Sequence, residues 1–131
     1  MSRHSFVIYG RLSGLNEITK ANRGNRYAGA ALKKKDMKLC ADYVMVGGLP
    51  NFKTPIMLDI SWFEPNSRRD IDNISGGGTK AILDSLVEAG KLPNDGRKWV
   101  KSITHYFPEP DKKNPRIVVE IVTVESDEPK N

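Results

Sequence analysis

Residues 55–63 constrain the fold more than any other part of the chain. They read Pro-Ile-Met-Leu-Asp-Ile-Ser-Trp-Phe. Ile56, Leu58, Ile60 and Trp62 alternate with Met57, Asp59, Ser61 and Phe63. An extended strand with this pattern has one apolar face and one mixed face. Glu64-Pro65-Asn66-Ser67 then turns the chain, because proline stops a strand. Beyond the turn Ile82, Leu83, Leu86 and Val87 form an apolar helical face, closed by Gly90. A strand handing over to a helix in this way implies an α/β or α+β domain.

The handover itself reads Ser67-Arg68-Arg69-Asp70-Ile71-Asp72-Asn73-Ile74-Ser75-Gly76-Gly77-Gly78-Thr79-Lys80. Residues two apart in extended chain point the same way, so Asp70 and Asp72 are expected on one side of the strand's end. Two carboxylates that close repel unless a cation lies between them. Mg²⁺ takes one or two carboxylates together with substrate phosphates. With Arg68, Arg69 and Lys80 nearby, the group reads as a metal site facing a polyanion, or as a solvated turn with two surface aspartates. Downstream, Leu92-Pro93-Asn94-Asp95-Gly96 is a turn. If its helix returns along the strand, Asp95 adds a third oxygen ligand; otherwise it is ordinary turn chemistry.

Two helix starts are open. Asp72 or Asn73 can cap the helix, and Asn73, Lys80 and Asp84 then fall within about 40° of one another on it. Lys80 then leans toward a phosphate or pairs with Asp84. Alternatively the helix begins after Gly78, since each helical glycine costs about 1 kcal/mol against alanine. The Gly76–Gly78 run then approaches a phosphate or a dimer mate.

The remaining chain supplies three more strands and a long helix. Residues 5–9 form a short strand, followed by an expected loop at 10–26 carrying Arg11, Lys20, Arg23 and Arg26. A helix begins near Tyr27; Met37, Cys40, Ala41 and Val44 make its apolar stripe, and Gly47-Gly48 ends it. Cys40 on that stripe reads as core filler. Residues 99–107 hold a strand in which His105 is structural, 108–115 make a hairpin-type loop, and 116–124 form a central strand. The expected order is β-α-β-α-β-β, a mixed sheet with two helices, as one domain over residues 1–124. Residues 125–131 are expected to be a disordered acidic tail.

The motifs resemble those of RusA-type Holliday junction resolvases. The likeness lies in Arg69-Asp70-Ile71-Asp72-Asn73, in Ile82-Leu83-Asp84-Ser85-Leu86 and in Asn94-Asp95, with Leu15-Asn16-Glu17 and Tyr27-Ala28-Gly29 earlier. It spans most of the chain. Asn94 stands where many relatives carry an aspartate, and Gly76–Gly78 interrupt what is usually continuous helix. The resemblance implies a small homodimeric, Mg²⁺-dependent endonuclease (Mn²⁺ as substitute) that cuts four-way DNA junctions in recombination and repair. It implies metal binding by Asp70, Asp72 and Asp95, and a catalytic lysine at or near Lys80. The family belongs to bacteria and phages, hence a cytoplasmic setting. The alternatives are a non-catalytic nucleic-acid-binding module and a flap- or branch-specific nuclease.

Charge supports a nucleic-acid partner. The chain of 131 residues carries a net +5. Between Arg11 and Gly47 eight bases face three acids, so positive charge gathers in the N-terminal third. Such a surface binds phosphate by releasing counterions. Arg68, Arg69, Arg11, Lys20, Arg23 and Arg26 are the expected DNA contacts. Trp62 and Phe63, near the basic turn, are either core or platforms for exposed bases. No apolar run approaches the ~20 residues of a membrane helix, and a single cysteine precludes an internal disulfide.

Overall fold

The computed structural model describes residues 1–124, so the expected tail lies outside the described residues. In chain order the elements are β1 (Arg3–Tyr9), α1 (Leu15–Gly24), α2 (Arg26–Val46), β2 (Ile56–Phe63), α3 (Ile71–Glu88), β3 (Val100–Tyr106) and β4 (Arg116–Thr123). The class is α+β, a mixed four-stranded sheet packed with helices. None of the helices among the described residues is long and apolar enough to cross a membrane.

Among the described residues the helices number three, not the expected two. The expected loop at 10–26 contains α1, whose short apolar stripe of Leu15, Ile18 and Ala21 buries no residue completely. One local and one tertiary hydrogen bond hold its first turn. The Gly14 N–H donates to Glu17 Oε1 at 3.1 Å, and the Asn16 N–H donates to Asn73 Oδ1 at 2.8 Å. Asn25 then interrupts the helix with extended backbone and caps α2, its Oδ1 accepting from the Ala28 N–H at 2.8 Å.

The sheet order is β1-β4-β2-β3. β2 runs antiparallel to β4 and parallel to β3, and β1 runs antiparallel to β4. The last strand is therefore interior, as expected, but the hairpin is not formed: β2 lies between β3 and β4. The 108–115 segment crosses the end of β2, where the Asp111 N–H donates to the Glu64 carbonyl at 2.8 Å. The most apolar strand thus takes partners on both edges. Ile56, Leu58, Ile60 and Trp62 are buried with Phe6, Ile8, Ile117, Val119 and Ile121 and the inner faces of α2 and α3. Met57, Asp59, Ser61 and Phe63 on the other face stay half-buried.

The α3 helix is continuous from Ile71, which excludes a start after Gly78. Its glycines serve a close approach within the chain. A Cβ on Gly77 would fall on the Ser13 carbonyl oxygen and 2.6 Å from the Gly14 carbonyl carbon. A Cβ on Gly78 would lie 2.7 Å from the Trp62 ring. The helix accepts the propensity cost so that the β1–α1 loop can lie directly on it. Ser13 is fixed there from the other side, its N–H and Oγ both donating to the buried carboxylate of Asp36 at 3.2 and 3.1 Å.

His105 and Cys40 have structural surroundings. Trp62 Nε1 donates to His105 Nδ1 at 3.0 Å, which needs that nitrogen unprotonated. Burial holds the imidazole pKa below its ordinary value. Cys40 is buried, and desolvation pushes its thiol pKa up to about 12, so it stays a protonated thiol that fills the core.

Two outcomes follow from these contacts. Gly77→Ala should lower the urea midpoint by an amount equivalent to about 1–3 kcal/mol of overpacking. Gly24→Ala, with nothing within 4 Å of its new methyl, should leave the midpoint unchanged or raised. An unchanged midpoint for Gly77→Ala would show that the loop yields freely. Because the folded His105 is harder to protonate than the unfolded one, its stability contribution is full above the ordinary imidazole pKa of about 6.5. That contribution falls away as pH drops below this value. Melting temperatures between pH 8 and 5 should decline less steeply in His105→Gln than in the wild type.

Candidate functional site

Asp70 and Asp72 stand at the amino end of α3, beyond the far end of β2. Asp70 is the N-cap residue, with extended backbone and no side-chain capping bond. Asp72 lies in the first turn, where its Oδ1 accepts the Asn73 N–H at 3.0 Å. Both are exposed, and neither carboxylate meets a cationic side chain among the described residues. The sequence places them along one strand edge. In the structure the helix already begins at Ile71, so the two share a helix end instead. A helix amino terminus favours negative charge through its free N–H groups.

Asp95 is not brought to this pair. Its Oδ2 accepts from Lys80 Nζ at 2.7 Å, and the same ammonium lies 3.0 Å from Asp84 Oδ1. Lys80 is eight residues past Asp72, about 12 Å along the helix axis. The expected three-acid cluster is therefore absent within the described chain, which holds no group of three or more His, Cys, Asp or Glu able to share one ion. The reason lies in the long turn after α3. It carries Asp95 back beside the middle of the helix, and Lys80 offers it a cation there. The expected pairing of Lys80 with Asp84 forms, and Asp95, expected at the metal, joins it as a second partner. The hydrogen bond from Lys80, reinforced by Coulomb attraction, draws the Asp95 pKa below the usual carboxylate range. The bonds to Asp95 and then Asp84 raise the pKa of Lys80.

Asp72, Gly76, Lys80 and Asp84 form one row at four-residue spacing, drifting about 40° per step. Gly76, Lys80 and Asp84 line a cleft of about 280 Å³ between the three helices, with Leu15, Lys33 and Asp36 opposite. The row leads from the cleft toward Asp72.

The expected DNA contacts divide into two groups. Arg69 is mostly buried and donates to the Leu12 carbonyl at 3.0 Å and to Glu17. Arg11 Nη2 pairs with Glu64 Oε1 at 2.7 Å, and Arg69 lies 3.7 Å from the same oxygen. These two arginines clamp the β1–α1 loop to the β2–α3 turn, a structural duty that the sequence reading did not assign. Glu64, 8% exposed, is the acid that organises them, and its position next to Pro65 gave no sign of that. Arg68, Lys20, Arg23 and Arg26 are exposed. Arg26 stacks over the Tyr27 ring at 5.3 Å; the other three have no ion pair among the described residues. Lys33, Lys34 and Lys35 on α2 are exposed too, with Lys33 on the cleft between the helices. Trp62 is core at 2% exposure, and the Phe63 ring is covered by the Arg116 guanidinium at 3.9 Å.

Comparison with known proteins adds no assignment: no family model matches the chain, and no curated protein matches it.

The Lys80 pairing has a spectroscopic consequence. The Asp95 carboxyl, followed by ¹³C NMR, should titrate below the ordinary aspartate range in the wild type and return to it in Lys80→Ala. An unmoved midpoint in that variant would show that the ammonium does not hold Asp95 in solution.

Proposed function

We propose that this chain is a Mg²⁺-dependent endodeoxyribonuclease of RusA type, acting as a homodimer on four-way DNA junctions in recombination and repair. The observation that carries the reading is the pair Asp70 and Asp72. Their carboxylates have no cationic partner at the amino end of α3, beside Arg68, while the neighbouring acids Glu64, Glu17, Asp84 and Asp95 are already paired. Two carboxylates together with phosphate oxygens and waters satisfy the hard, oxygen-seeking Mg²⁺ ion, so this donor set fits the metal; Mn²⁺ suits the same oxygens.

In this reading Asp70 and Asp72 hold the metal. Bound there, Mg²⁺ supplies Lewis acidity toward a phosphate oxygen and lowers the pKa of a coordinated water. Arg68 and the exposed cations of α1 and α2 grip the sugar-phosphate backbone, which sets orientation and affinity rather than sequence choice. Asp95 holds Lys80 rather than the ion, and keeps an ammonium fixed in the cleft alongside the path of the strand. The preference for a junction rests on the motif resemblance, and a two-fold dimer suits a substrate of nearly two-fold shape.

The separation of Asp95 from the pair favours one second reading, a nucleic-acid-binding module that does not cut. Mg²⁺ titration against synthetic junction, flap and duplex DNA decides between cutting and binding alone, and between branch types. Asp72→Asn should reduce junction cleavage by about 100-fold or more while binding stays equal or tightens, since a negative charge facing phosphate is removed. Full cleavage by Asp72→Asn would remove this residue from the chemistry.

A further inference from the structure

Three cations outside the candidate site share one open cleft. Arg97, Lys98 and Lys101 line it together with Val100, and its volume is about 500 Å³. All three side chains are exposed. None has an ion pair among the described residues, and no acid lines the cleft.

The backbone gathers them. The N–H groups of Trp99 and Val100 both donate to the Gly96 carbonyl, at 2.9 and 3.0 Å, which folds Arg97 and Lys98 into a tight turn. The Trp99 carbonyl then accepts from the Ile56 N–H at 2.8 Å and ties that turn to the start of β2. Ile56 pairs with Val100, but Met57 pairs with Ser102. Lys101 is therefore an extra residue in β3, a bulge. Bulges re-aim a side chain out of the strand's alternation, and here the third cation joins the first two. Like charges gathered without a counter-charge repel one another, and an anion relieves that repulsion.

We propose that this cleft is a second phosphate-backbone contact for DNA, separate from the basic surface of α1 and α2. The proposal rests on DNA being the ligand, as in the preceding reading, and goes beyond it in naming a second contact. β3 begins beside the start of β2, whereas Asp70 and Asp72 follow its end. The strand's eight residues put the two regions about 25 Å apart. At 3.4 Å per base pair along the duplex that is about seven base pairs. That length matches the separation along β2 between the metal-site end and the bulge end, so the bulge end supplies a phosphate contact about seven base pairs along the strand from the metal-site end.

The test is the salt dependence of binding to a duplex of about 20 base pairs, long enough to span both regions, in EDTA. The combined variant Arg97→Gln, Lys98→Gln, Lys101→Gln is compared with the wild type and with Arg3→Gln, which removes an exposed charge on β1 at the opposite edge of the sheet. Each lost phosphate contact lowers the slope of log affinity against log salt by about 0.9. The cleft variant should therefore lose about 2–3 units of slope, and Arg3→Gln less than 1. An equal loss in the two variants, an unchanged slope, or a wild type that does not bind duplex DNA would overturn the proposal. Mg²⁺-dependent cleavage by the wild type is scored separately. Cleavage with an unchanged slope sinks only the second contact, and a lost slope without any cleavage sinks only the nuclease reading.

Discussion

The contact between α3 and the loop before α1 is the constraint on which the rest of the structure depends. At Gly77 the helix backbone meets Ser13 and Gly14 with no side chain between them. Closeness of that order cannot be shared with a methyl group, because protein interiors have no spare volume to absorb one. The loop is then held on three sides. Asp36 on α2 takes the Ser13 N–H and hydroxyl, Asn73 on α3 takes the Asn16 N–H, and Arg69 takes the Leu12 carbonyl. A polar helix with no fully buried residue, α1, is thereby fixed at its amino end.

The same clamp decides which charges are free. Arg11 and Arg69 neutralise Glu64 and Glu17, so Arg69, the base next to Asp70 in sequence, and Arg11 are consumed in holding the fold. What remains beside Asp70 and Asp72 is Arg68 and the outward cations of α1 and α2. Lys80 is likewise consumed, by Asp84 and Asp95. The exposed Lys80 pairs add little stability; their importance lies in fixing where the remaining negative and positive charges face solvent. Among the described residues the surface keeps two uncommitted carboxylates at one helix end and unpaired cations near both ends of β2.

The sequence reading succeeded where a side-chain period carried the information. Alternation in β2 and the 3.6-residue stripes of α2 and α3 gave the elements and the core face of each, and the structural role of His105 and Cys40 followed from their neighbours. It went astray where the deciding contact was between segments. Residues 15–24 carry only a short apolar stripe, Leu15, Ile18 and Ala21, among Asn, Gly and charged residues, so α1 read as loop. Three glycines read as a helix break or a ligand cradle, whereas Gly77 meets another stretch of the same backbone and Gly76 and Gly78 meet the side chains of Leu15 and Trp62. The segment 108–115 read as a hairpin because turn residues do not reveal which strand lies between its ends.

For the candidate site the division is equally physical. The sequence by itself determined that Asp70 and Asp72 lie two residues apart where a strand passes into a helix, since local spacing fixes that. It also determined the excess of positive charge. Only the tertiary structure decided that Asp95 goes to Lys80 and not to the other acids, that Arg11 and Arg69 turn inward, and that a bulge gathers Lys101 with Arg97 and Lys98. Those outcomes depend on how far one segment travels before it meets another, and chain order does not carry that distance.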